Sequence, residues 1–211
     1  MSQELVKHPR IGDNISSALL LSIGLFLSSI ASTSCLMPDD YKTTIIVKNK
    51  YRYTVSFKGD IVFAPALNAI DLGEFDSQRN KEISNIEEAL YDEEGFEFVE
   101  YDEKGRFYVE SFVEKEKYDD YYFISKELPH VSVVFENGTM IIQGKEFEAS
   151  AKSDLSNINL NLEGKLIIKT RKSVKVNSHN ADTRVKNNNT TIYTWFLDIK
   201  SPNPKMILKS G

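Results

Sequence analysis

The residues most able to do chemistry are scarce: one cysteine and three histidines in 211 positions. Cys35 has no second cysteine to pair with, so an internal disulfide is excluded and the fold must be held by its own core. His130 and His179 stand far apart in sequence, each beside a strand or loop, and neither has a cysteine or another histidine near it. Metal sites draw on tighter local clusters than that. The segment Ser178-His179-Asn180-Ala181-Asp182 holds the residue types of a nucleophilic triad. Adjacent residues on a strand point to opposite faces, however, and cannot form a relay. Asp92-Glu93-Glu94 and Asp119-Asp120 offer oxygen ligands for a divalent cation, but their spacing matches no calcium loop. There is no phosphate loop, no Gly-x-Ser-x-Gly elbow, no zinc spacing and no dinucleotide fingerprint. The residues thus point to no catalytic group, no metal and no cofactor, and nothing in them calls for nucleic acid.

The position of Cys35 says more than its isolation. Lys7, His8 and Arg10 precede an apolar run from Ile15 to Ile30, and the small residues Ala31-Ser32-Thr33-Ser34 lead into the cysteine. Basic, apolar and small regions in that order form a secretory signal. The run is shorter than the roughly 20 apolar residues of a comfortable membrane span, and serines and a glycine interrupt it. A cysteine directly after the small region resembles the lipobox of bacterial lipoproteins, with Ser32 standing where Leu, Val or Ile is usual. That resemblance implies that residues 1–34 are a signal peptide forming an N-terminal signal helix. Cys35 is then acylated as the new N-terminus, and the chain is anchored on the non-cytoplasmic side of a membrane of the bacterial cell envelope. Soluble secretion after cleavage near Ala31 and an uncleaved anchor are the alternatives. No second apolar run of spanning length follows, so the remainder is expected outside the bilayer.

A composition of 41% hydrophobic and 11% aromatic residues supports a packed fold rather than a disordered tether. The net charge of −5 hides an uneven distribution. From Glu87 to Asp120 there are 14 acidic and four basic residues, whereas Lys165 to Lys209 has ten basic and two acidic. A basic face of this kind meets anionic head groups. Alternatively the two poles face each other within one fold, or lie on the solvated faces of strands.

The elements that would position these groups follow from periodicity. Residues 35–41 read as a tether, and 42–205 as a single α+β domain, with lobes at 42–150 and 151–205 as the alternative division. Tyr51, Tyr53, Val55 and Phe57 alternate with Arg52, Thr54, Ser56 and Lys58, so 51–58 is a half-buried strand in a hairpin with 42–48. Pro65 opens a short helix over 66–72 that Gly73 closes. Asp76 or Ser77 caps a main helix over 77–92 with Ile83, Ile86 and Leu90 on one stripe. Hairpins follow at 96–101 with 106–116 and at 131–135 with 139–143, the second turning on Asn137-Gly138. Further strands are expected at 121–125, 158–162, 165–170, 174–177 and 191–198, with Asn187-Asn188-Asn189 a turn. The segment after Ser201 is either a terminal strand or coil. The fold class is thus α+β, mostly antiparallel sheet.

Two segments carry a resemblance. From Lys42 to about Val109, the Tyr51-Arg52-Tyr53 strand, Ser56-Phe57-Lys58-Gly59, Phe63-Ala64-Pro65-Ala66-Leu67 and Gly95-Phe96 before Gly105-Arg106-Phe107 are similar to a family of uncharacterised exported bacterial proteins. From Asn157 to Asp198, three features resemble the LppM-like domain of bacterial lipoproteins: Leu160-x-Leu162-x-Gly164, Val174-x-Val176-x-Ser178-x-Asn180, and Thr194-Trp195-Phe196-Leu197. The resemblance implies an α+β, membrane-tethered domain that takes lipid-like ligands. The expected function is a non-enzymatic envelope lipoprotein that binds a hydrophobic ligand or an envelope protein partner. Tyr121, Phe123 and Trp195 are the candidate lining residues. Aromatics at strand spacing also serve as core by default. A structural component pairing through exposed strands, and an envelope hydrolase, are the other readings.

Overall fold

The computed structural model describes residues 36–49, 52–74, 76–102, 104–116, 118–124 and 130–209. The contacts divide the chain into Met1–Ser32 and Thr33–Gly211. The signal segment and Cys35 lie outside the described residues.

The alternating segments of the first half become long strands. β1 (Leu36–Asn49) and β2 (Arg52–Phe63) form an antiparallel hairpin, and β2 pairs in turn with β4 (Arg106–Glu116), whose outer neighbour is β3 (Phe96–Tyr101). On its other side β1 pairs in parallel with β8 (Gly164–Arg171), which is followed by β11 (Thr190–Leu197) and the edge strand β10 (Thr183–Lys186). This seven-stranded sheet has the order β10-β11-β8-β1-β2-β4-β3. Its β1 to β8 step is parallel and its other pairings are antiparallel. A second sheet, ordered β5-β6-β7-β12-β9, is built from Tyr121–Tyr122, Val131–Glu136, Thr139–Gly144, Lys205–Lys209 and Lys175–His179 respectively. The α+β class is as the sequence indicates.

The two sheets pack face to face. Ile45, Val47, Tyr53, Val55, Leu166, Ile168, Tyr193 and Trp195 from the large sheet meet Val131, Val133, Met140, Ile142, Met206 and Leu208 from the small one. These are the inward positions of alternating strands, which is why binary patterning found most of them. The helix α2 (Ser77–Asp92) lays Ile83, Ile86 and Leu90 on Phe57, Ile61, Phe107 and Val109. Asp76 caps it by accepting from the backbone N–H groups of Gln78 and Arg79, both at 3.0 Å. Ahead of it, α1 (Ala64–Asp71) has proline in its first turn. Among the described residues no helix is long and apolar enough to cross a membrane.

Several segments differ from the reading of the sequence. Residues 36–41 are not a tether: Leu36 already pairs with Phe63, and Leu36 and Tyr41 are buried. A register shift lies between Asp39 and Lys42, where Asp40 takes φ 45°. Gly59 opposite that irregularity is required, because a Cβ there would lie 2.5 Å from the Tyr41 Cα at a φ of 147°. The strand expected at 158–162 is absent, since Asn159 and Leu162 adopt φ of 55° and 54°. Its Leu160 and Leu162 instead join Val62, Leu155 and Ile199 in a small third core. The strand expected at 121–125 stops at Tyr122, and Ile124 has φ 76°. The helix α3 (Ala149–Asn157) was not foreseen, because it buries only Leu155 and carries almost no apolar stripe. The tail resolves into β12, a central strand of the small sheet. Since β12 pairs with β7 and β1 pairs with β8, strands on both sides of residue 150 share each sheet.

Candidate functional site

The three aromatic candidates do not converge on one pocket. Trp195 is 2% exposed in the inter-sheet core, and its Nε1 donates to Asn180 Oδ1 at 2.8 Å. Phe123 belongs to the core beneath α2, stacked on Phe57 with ring centroids 4.4 Å apart and on Phe96 at 6.0 Å. Tyr121 packs at the margin of both cores, and burial pushes its hydroxyl pKa up. All three are engaged in holding the sheets and helix together.

The segment 178–182 carries a structural network. Asn180 Oδ1 accepts from both Trp195 Nε1 and the Lys205 backbone N–H, each at 2.8 Å, while its Nδ2 donates to the Asn203 carbonyl at 2.7 Å. Asp182 accepts from the Phe196 N–H at 2.7 Å. His179 accepts from the Ala181 N–H at 3.2 Å and sets its ring edge-on to Tyr193, with centroids 4.7 Å apart. Partial burial and then the charge of Arg184 lower the His179 pKa. These residues join the end of β9 to β11 and β12. The role of Asn180 was not legible in sequence, since its partners lie 15 and 25 positions away.

His130 sits in a narrow cleft lined by Tyr41, Lys145, Phe147, Leu162 and Asn203. Part of the residue reaches the surface, while Nε2 is buried with no hydrogen-bond partner among the described residues. Desolvation, with Lys145 adding to it, lowers its pKa to about 3, so the ring is neutral. The acidic candidates are tied into the fold as well. Asp120 accepts from the Phe135 N–H at 2.9 Å, the Asp119 carbonyl accepts from Tyr53 Oη at 2.7 Å, and Glu94 pairs with Lys115 at 2.6 Å. Among the described residues no three His, Cys, Asp or Glu side chains gather as a metal site.

A different feature stands out at the other end of the sandwich. Between the edge strands β10 and β9, where the two sheets part, an open groove of about 670 Å³ is lined by Arg171, Lys172, Arg184 and Lys186. The half-buried Val174 and Val176 supply its less polar surface above the buried Tyr193, and its lining contains no carboxylate among the described residues. The local sequence explains the placement. The register sets Arg184 against Tyr193 and Lys186 against Thr191, so two alternate positions of β10 present cations on one face. The Arg184 guanidinium lies 5.5 Å from the Tyr193 ring centroid, within cation–π range. Arg171 ends β8 opposite Thr190, and the Lys172 N–H donates to the Asn189 carbonyl at 3.0 Å, which closes the adjoining turn.

The two charge poles of the sequence do not neutralise one another. The acidic β4 is matched by the β1–β2 hairpin: Lys58 meets Glu110 at 2.7 Å, Lys48 meets Glu114 at 2.7 Å, and Arg52 reaches Glu114 and Glu116. No ion pair among the described residues involves the basic residues of Lys165 to Lys209. Among the described residues, the four cations of the groove therefore have no ion-paired carboxylate.

No family model matches this chain. No curated protein matches it either. Among solved structures it is similar to the folded domain of LppM from Mycobacterium tuberculosis, with 11% identity, 82% of this chain and 91% of that chain covered, and a TM-score of 0.37. That likeness is distant.

Proposed function

We propose that the chain is a non-enzymatic, membrane-tethered protein of the bacterial cell envelope, attached on the non-cytoplasmic side through lipidation of Cys35. It binds a hydrophobic or lipid-like ligand, or an envelope protein partner, through the groove between β9 and β10. The observation that carries this reading is the groove itself: half-buried aliphatic surface from Val174 and Val176 lies beside four cations, with no carboxylate in the lining among the described residues. Its volume falls within the range of roughly 300–1,000 Å³ typical of small-molecule sites. Burying an alkyl chain contributes about 0.8 kcal/mol per CH₂, so a short apolar contact supplies useful affinity.

The tether is tested by labelled fatty acid in a host that processes lipoproteins. The wild type should take up label and fractionate with membranes, and Cys35→Ser should do neither. Binding is tested by titrating a fluorescent fatty acid into the Thr33–Gly211 unit. Saturable binding, weakened at least tenfold by Val174→Asp, supports the groove, whereas equal binding by both proteins removes it as the site.

A second reading rests on β10. All four of its residues are exposed, and Val185 is 54% exposed on a strand at the margin of the large sheet. Edge strands of this kind pair with other chains. Concentration-dependent oligomers that Val185→Lys abolishes would favour assembly over ligand binding.

A further inference from the structure

We propose that the groove between β9 and β10 is a site for a phosphate-bearing small molecule, whose phosphate is held by Arg171, Lys172, Arg184 and Lys186. This rests on the reading of the groove as the binding site and names the class of ligand it takes.

Three observations converge. First, the groove holds four cations and no carboxylate in its lining, while Lys48, Arg52 and Lys58 of the β1–β2 hairpin each have an acidic partner on β4. Like charges gathered without counter-ions repel one another, so an anion entering the groove relieves that repulsion as well as gaining its own attraction. Second, the cations differ in kind. Arg184 is a planar fork held near the Tyr193 ring, suited to bidentate contact with phosphate oxygens, and Lys172 and Lys186 are point charges in the same lining. A carboxylate is satisfied by one such fork. Four cations match the greater charge and the larger number of acceptor oxygens of a phosphate monoester.

Third, the groove's place in the fold bears on the ligand's source. β1 runs parallel to β8 with Val47 beside Thr170, so the groove lies near the Asn49 end of β1. Leu36, next in sequence to Cys35, is at the opposite end, roughly 35 Å away at 3.3 Å per residue. A tether at Cys35 leaves the groove facing the aqueous side, where a soluble phosphate ester meets it first. The volume of about 670 Å³ accepts one small molecule or one head group.

The test uses the full-length chain held in phosphatidylcholine nanodiscs. Inorganic phosphate and glycerol 3-phosphate are titrated and binding is read by isothermal calorimetry, a signal that depends on no single residue of the groove. A parallel arm measures capture of the nanodiscs by vesicles containing phosphatidylglycerol. Both groups are neutralised in the double variant Arg184→Gln, Lys186→Gln, on an exposed edge strand where the fold is not at stake. Lys58→Gln serves as the control outside the groove. Saturable binding of the soluble phosphates, weakened at least tenfold by the double variant and unchanged by the control, supports the proposal with a soluble source. Vesicle capture alone, lost in the same double variant, supports it with a lipid head group as the source. Absence of binding in both arms, or binding that the double variant leaves intact, overturns it. A neutral fluorescent fatty alcohol is added as a third probe. If the alcohol binds and phosphate does not, this inference fails and the hydrophobic reading stands; the reverse result sinks the hydrophobic reading instead.

Discussion

The buried ring of His130 makes stability depend on pH in a direction and size that can be worked out. Its pKa is about 3 in the fold against 6.5 for the free side chain. Between those values the unfolded chain binds the proton and the native chain does not, so stability rises with pH across that window and falls as the solution is acidified. Going from pH 7 to pH 4 spans about 2.5 units below the unfolded value, or about 3.4 kcal/mol at full effect. Part of the residue reaches the surface, which reduces this to about 2–3 kcal/mol. His130→Phe removes the titrating group and retains an aromatic ring for the edge-on contact with Tyr41, whose centroid lies 4.6 Å away. Because Nε2 has no hydrogen-bond partner among the described residues, the variant should lie within about 1 kcal/mol of the wild type at pH 7. At pH 4 it should be the more stable protein by about 2–3 kcal/mol. Urea unfolding at pH 7, 5.5 and 4, followed by Trp195 fluorescence, measures the difference directly. The contributions of carboxylates, common to both proteins, cancel. An unchanged difference between the two proteins at pH 7 and pH 4 would refute the reasoning. So would a large loss at pH 7, which would mean that Nε2 is hydrogen bonded.

Two further predictions concern the framework. Ile86→Ala should lower stability by about 2–5 kcal/mol, because Ile86 is 5% exposed on the buried face of α2, and Glu87→Ala, half-buried and off the apolar stripe, should shift the melting temperature little; equal shifts in calorimetry would contradict the helix orientation. Gly164→Ala should cost about 1–3 kcal/mol, since a Cβ there would lie 2.2 Å from the Tyr41 ring, and most of that cost should vanish in a Tyr41→Leu background when the double-mutant cycle is read by urea unfolding.

What could be read from the sequence was set by how local the determining interactions are. The 77–92 helix and the 96–101/106–116 hairpin were placed to the residue, because capping by Asp76 and the alternation of β4 are decided within a few positions. The run Ile158, Leu160 and Leu162 shows the opposite case. Its alternation does report burial, as the small core with Leu155 and Ile199 confirms, but the backbone turns at Asn159 and Leu162 instead of extending. Alternation identifies which side chains go inside, and only hydrogen-bonded neighbours decide whether the chain is a strand. The three candidate aromatics lie in separate parts of the core for a related reason. Tyr121, Phe123 and Trp195 were singled out by type, and large aromatics are drawn into cores before they are available to a ligand. The groove comes from the ends of β8, β9 and β10 meeting across two sheets, a pairing no local pattern encodes. Its trace in the sequence was the excess of basic residues after Lys165. That trace became specific only when β4 was seen to satisfy its charges with the β1–β2 hairpin.

The strand β1 connects the proposed attachment to the proposed site. Leu36 is buried and paired with Phe63, so a lipid on Cys35 would be one peptide bond from a hydrogen-bonded strand. A flexible linker of n residues lets a domain roam about 5–6 Å × √n from its anchor. For an attachment at Cys35, n would be close to zero and the domain would have little freedom to swing. The parallel pairing of β1 with β8 would then matter for function, because β8 runs in the same direction as β1 and places Arg171 at the end far from Leu36. An antiparallel neighbour in that position would bring the end of β8 back toward the tether. With the proposed attachment at Cys35, the one parallel step in the large sheet would set the cationic groove at the end of the domain away from the membrane, open to whatever anion arrives from the aqueous side.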